Sequence, residues 1–94
     1  MPVIGVLTME LRLENSHSLK DKRHTVQSLK ERLRGKFNVA VAEIDGLDLW
    51  QRAVVAAVTV SAGRLHAEKV LLAVEEEAAS LLGPELAGVT VEWL

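Results

Sequence analysis

Residues 2–14, Pro-Val-Ile-Gly-Val-Leu-Thr-Met-Glu-Leu-Arg-Leu-Glu, constrain this chain more than any other stretch. Val3, Gly5, Leu7, Met9, Leu11 and Leu13 share one parity; Ile4, Val6, Thr8, Glu10, Arg12 and Glu14 share the other. Alternation sustained over that length is the period of a strand and excludes a helix. A strand needs neighbours to be stable, so the rest of the chain must complete a sheet around it.

The period then changes. Leu19, Val26, Leu29 and Leu33 form a helical stripe, with Gly35 as the expected stop. Ser18 followed three residues later by Asp21 is a capping-box pattern at the start of that helix. Phe37 to Ile44 alternates again, and Asp45-Gly46 signals a turn. Arg52 to Ala62, rich in valine and alanine, reads as a buried third strand. Arg64 to Leu82 reads as a second helix with Val70, Val74, Ala78 and Leu81 inward, stopped by Gly83-Pro84. Val89, Val91 and Trp93 mark a last strand. The order βαββαβ is the ferredoxin-like pattern: an α+β sandwich with a four-stranded antiparallel sheet and two helices on one face. With 94 residues, 49% of them apolar, the chain suits a single domain spanning 1–94 around one core.

Assigning side chains to the two sheet faces gives a further expectation. Leu7, Met9, Leu11, Phe37, Val39, Val41, Val54, Val58, Val60, Val89 and Val91 are expected under the helices. Ile4, Val6, Thr8, Ala40, Ala42, Ile44, Val55, Ala57 and Thr59 are left for the opposite face. Such an apolar open face points to a homo-oligomer assembled through it.

Charge is unevenly placed. From His17 to Lys36 seven Lys or Arg face two acids, a net +5; elsewhere four face eleven, a net −7. Lys20, Lys22 and Arg23 fall in the first turns of the helix, where the macrodipole disfavours each cation by about 0.3–1 kcal/mol. The topology returns Glu43, Asp45, Asp48, Trp50, Gln51 and Arg52 to the same end of the molecule. Those carboxylates are therefore expected to neutralise some of the cations, with Glu43 to Arg23 or Lys20 the first pair. The basic helix is also expected to lie beside an acidic one.

Several function classes receive no support. The chain has no cysteine, so thiolate metal sites and disulfides are excluded. His17, His24 and His66 have no metal-ligand spacing, and the glycines form no phosphate loop. No cofactor, metal or catalytic residue is expected, and the protein is read as a non-enzyme. The N-terminus lacks a basic, apolar leader, and the longest apolar run, Ala53 to Val60, is too short to span a membrane. A cytoplasmic location without membrane contact is expected.

Binding of RNA is better supported. Lys20, Arg23, His24, Gln27, Lys30 and Arg34 lie near one outward helix face, where they can follow phosphates. The sheet surface lacks the aromatic residues on which RNA-recognition domains stack bases.

Ser18-Leu19-Lys20-Asp21-Lys22-Arg23, Leu29, Arg32-Leu33-Arg34, Phe37-Asn38-Val39, Val41-Ala42-Glu43 and Trp50-Gln51-Arg52-Ala53 together resemble the YlxP-like family of small bacterial proteins. The resemblance covers nearly the whole chain and is weakest in its last third. It implies a ferredoxin-like fold and gene neighbourhoods shared with translation initiation and ribosome maturation factors. It brings no catalytic residues. Lys20, Lys22, Arg23, Glu43, Trp50 and Gln51 are accordingly nominated as a functional end, contacting RNA or the ribosome. The alternative is a small-ligand or protein-interaction module working at that end or at an oligomer interface.

Overall fold

A computed structural model describes residues 1–94. The chain runs β1 (Val3–Arg12), α1 (Leu19–Lys36), β2 (Ala40–Asp45), β3 (Arg52–Ser61), α2 (Arg64–Leu82) and β4 (Leu86–Trp93). A single 3₁₀ turn, Gly83–Glu85, links α2 to β4. The strands form one antiparallel sheet in the order β2-β3-β1-β4, which is the ferredoxin-like arrangement.

One parity of β1 is sealed. Leu7, Met9 and Leu11 are fully buried, and they meet Val26, Leu29 and Leu33 of α1 and Leu71, Val74 and Ala78 of α2 in one core. Gly5 extends that face by what it lacks. A Cβ there would stand 2.6 Å from Trp93 Cζ3 and 2.8 Å from Leu71 Cδ1, so the bare backbone admits the Trp93 ring. The Arg64 guanidinium stacks on the Trp93 ring at 3.9 Å, closing the end of the sheet where α2 begins.

Four local expectations are corrected. β3 is turned over: Ala53, Val55, Ala57 and Thr59 are buried, paired respectively with Leu11, Met9, Leu7 and Gly5. Val54, Val58 and Val60 face away from the helices. Both parities of β3 are apolar, so the pattern selects neither. Size selects, because small Ala53 and Ala57 fit beneath the leucines packed against them. Thr59 is tolerated inside because its hydroxyl donates to the Asn38 carbonyl at 3.0 Å.

The helix stripes shift by small amounts. In α2 the buried set is Ala67, Leu71, Val74, Ala78 and Leu82, with Val70 and Leu81 only partly covered. Gly35 does not stop α1, which continues to Lys36 and ends where the Phe37 N–H bonds the Leu33 carbonyl. β2 starts later than its alternation suggested, at Ala40. Phe37 and Val39 pack on the core from the connection before it.

Candidate nucleic-acid interface at the basic helix

The α1 start is built as its sequence implies. Ser18 is extended, and its Oγ accepts from the Asp21 N–H at 3.1 Å. Asp21 Oδ2 accepts in turn from the His17 N–H at 3.0 Å, which places a carboxylate at the positive end of the helix.

Lys22 is the residue whose role the sequence reading missed. Nominated with Lys20 and Arg23 as an RNA contact, it has a side chain only 1% exposed. It occupies the core-facing stripe of α1 together with Val26, Leu29 and Leu33. Its Nζ donates to the carbonyls of Gly46 at 2.7 Å and Leu47 at 3.0 Å. Glu43 Oε2 lies 2.9 Å away as an ion pair, off the line of a hydrogen bond. The ammonium is thus used entirely within the protein. Glu43 pairs with Lys22, and neither Lys20 nor Arg23 takes its place.

The loop from Gly46 to Gln51 is positioned by this lysine. Gly46 has φ +75°, a conformation that disfavours a side chain, and its N–H bonds Asp45 Oδ1 at 2.8 Å. Gln51 closes the other side: its Nε2 donates to the Glu14 and Ser16 carbonyls, both at 3.2 Å, and its carbonyl accepts from the Leu13 N–H. Glu43 and Gln51 therefore serve the fold at this end, as Lys22 does. Asp45 stands 3.8 Å from Arg52, which also binds Glu10 at 3.2 Å. Asp48 engages no cation.

Braced in this way, the loop holds Leu47, Leu49 and Trp50 out to solvent, with Trp50 53% exposed. Residues Asp48, Leu49, Trp50, Gln51 and Arg52 line an open depression of about 570 Å³. Leu47 and Leu49 were not nominated from sequence. Leu47 directly after the turn glycine and Leu49 between Asp48 and Trp50, apolar residues in an otherwise polar turn, were the available signal.

The remaining cations of α1 divide by flank. Arg32 and Lys36 face α2, where Nη1 and Nζ reach the two oxygens of Glu77, each at 3.0 Å. Those hydrogen bonds, Arg32 first and Lys36 next, hold the Glu77 carboxyl below its ordinary pKa. The expected pairing of basic and acidic helices is real and confined to this site. Lys20, Arg23 and Arg34 are exposed and Lys30 is half-buried; none has a carboxylate within 4.0 Å. His24 and Gln27 lie among them, and Gln27 donates to Glu31 at 3.0 Å. From Lys20 to Arg34 the row spans about 21 Å at ~1.5 Å per residue.

Comparison with known proteins agrees with this architecture. A solved structure of the designed protein Foldit4 superposes with a TM-score of 0.60 at 14% identity, covering 100% of this chain and 97% of its own. A ferredoxin-like protein of unknown function from Thermobifida fusca YX, described as dimeric, gives a TM-score of 0.51 at 18% identity, over 97% and 90%. In sequence, the uncharacterized protein YlxP of Bacillus subtilis (strain 168) is 36% identical over 69 residues, which is 73% of this chain and 75% of that protein. The model of the family described as "Protein of unknown function (DUF503)" matches residues 4–90. With that match across the sheet, both helices and the braced loop, the chain belongs to the DUF503 family.

Proposed function

We propose that this protein is a non-enzymatic, self-associating cytoplasmic module that contacts the phosphate backbone of RNA, free or within the ribosome, through α1. The observation that carries the reading is the row Lys20, Arg23, Lys30 and Arg34, which has no carboxylate partner although the chain as a whole is acidic. Arg32 and Lys36 show that α2 neutralises cations where it can reach them. Trp50, 53% exposed at the same end as Lys20, adds a surface for a stacked base. A non-enzymatic role is supported by the employment of Lys22, Glu43 and Gln51 in holding the loop. Self-association is supported by the Thermobifida fusca neighbour, which is described as dimeric.

The test is binding of labelled single-stranded and duplex RNA across a salt series. Four phosphate contacts predict a log–log slope of roughly −3 between about 50 and 200 mM salt. Replacing Lys20, Arg23, Lys30 and Arg34 together by Glu should abolish binding. Substituting Arg32 and Lys36 by Gln should leave the slope unchanged. If the wild type shows no salt-sensitive affinity, the reading is wrong.

A second reading, an acceptor of a small ligand or a peptide, rests on the depression beside Trp50. A ligand there would quench Trp50 fluorescence without dependence on the α1 cations.

A further inference from the structure

The turned-over β3 changes the character of the face that the helices leave open. Val54, Val58 and Val60 join Ile4 and Val6 of β1 and Ala40 and Ala42 of β2 on it. Val60, Ala40 and Ala42 are exposed, Ile4, Val6, Val54 and Val58 half-buried, and Ala56 in the middle is 8% exposed, screened by its neighbours on the sheet. Nothing from this chain covers these side chains.

The charges on the face are also informative. Glu10, Arg52 and Asp45 sit together at one end, where Arg52 pairs with both carboxylates. Arg12, at that same end of β1, and Glu92, toward the opposite end on β4, have no intramolecular partner and carry opposite signs. A partner of strong net charge would find little to complement here. A copy of the same face finds both its apolar centre and its unpaired charges matched.

We propose that the open sheet face is covered by a second copy of this chain, sheet on sheet, about a two-fold axis crossing the strands near Ala56. That axis exchanges the ends of the face, so each Arg12 approaches the Glu92 end of the other copy. Sheets packed this way lie ~10 Å apart with strands about 30° from aligned. Four strands ~4.8 Å apart and a length of about seven residues give roughly 450 Å² of projected area per copy, with β1, β2 and β3 supplying its apolar part and Thr90 and Glu92 of β4 its polar margin. Upright β-branched side chains raise the accessible area above the projection. The pair therefore reaches the ~1,000 Å² that a specific interface needs, with an apolar centre and a polar rim. The proposal stands apart from RNA contact, because α1 lies on the other side of the sheet.

Sedimentation equilibrium of the purified protein at about 10–100 μM is the test, a range in which such an interface should hold. The expected result is a mass twice the 10.3 kDa of one chain. Val58→Glu should give a monomer with an unchanged circular-dichroism spectrum. Val58→Thr, which keeps the β-branched shape, should weaken dimerisation at least tenfold and guards against loss of fold. Arg12→Glu should weaken the dimer, and Arg12→Glu with Glu92→Arg should restore it. A wild type that stays monomeric overturns the proposal. So does a dimer that survives Val58→Glu but dissociates on Leu72→Glu, on the exposed side of α2.

Discussion

Lys22 shows how one side chain can reverse the meaning of a motif. Three cations in the first turns of a helix suggest an anion-binding end, yet the middle one points inward to two carbonyls and Glu43. A charge buried this completely is held by its partners, and removing one partner of such a pair typically destabilises by about 3–5 kcal/mol. Lys22→Ala should therefore lower unfolding free energy by roughly that amount, measured by urea denaturation. Lys22→Met with Glu43→Leu should recover part of it, because two apolar side chains leave no uncompensated charge while the Gly46 and Leu47 carbonyls still lose their donor. A Lys22→Ala protein as stable as wild type would remove the brace from this account. The stripe read from the sequence runs through Leu19, Val26, Leu29 and Leu33, although Lys22 stands four residues before Val26 and falls on the same face. Residue type argued against burial, and only the carbonyls of a loop 24 residues away explain why it is there.

At the scale of elements, Glu77 is the tie between the helices. Two hydrogen bonds from α1 hold its carboxyl below the ordinary value, and a group whose folded pKa is depressed stabilises when ionised. Its contribution is complete above the pKa of an unfolded glutamate and is lost as pH falls through the lowered folded value. Thermal melts of wild type and Glu77→Gln should differ near pH ~7 and draw together as the pH falls through the lowered folded value. A difference that persists in acid would assign the effect to packing. The exposed position of Arg32 and Lys36 keeps this contribution small. Element boundaries were legible where punctuation was strong: α2 ends where Gly83-Pro84 implied. They were not legible at Gly35, since a glycine in the last turn of an exposed helix is destabilising by only about 1 kcal/mol, which packing of Leu33 and Phe37 outweighs.

For the whole molecule, the opposed charges of α1 and α2 make the protein an electrostatic dipole, which would orient α1 toward an RNA surface on approach. Two copies joined by their open faces would point their α1 helices outward in opposite directions. Three layer spacings of ~10 Å would then separate the helix layers by about 30 Å. Such a dimer should bring two RNA molecules together rather than grip one from both sides. Energy transfer between donor- and acceptor-labelled RNAs should rise with wild-type protein and stay flat with Val58→Glu, which retains binding to each. Transfer by the monomeric variant would exclude bridging through this interface.

The sequence by itself determined the element order, the parity of β1, the capping of α1 and the unequal placement of charge. Each follows from period, turn chemistry or local hydrogen bonding within a few residues. Tertiary structure alone decided which face of β3 is buried, because both parities are apolar and only the volume left beneath Leu7, Met9 and Leu11 distinguishes them. It also decided which α1 cations remain free. Burial against the loop removes Lys22, reach to Glu77 removes Arg32 and Lys36, and Lys20, Arg23, Lys30 and Arg34 are what those two distances leave.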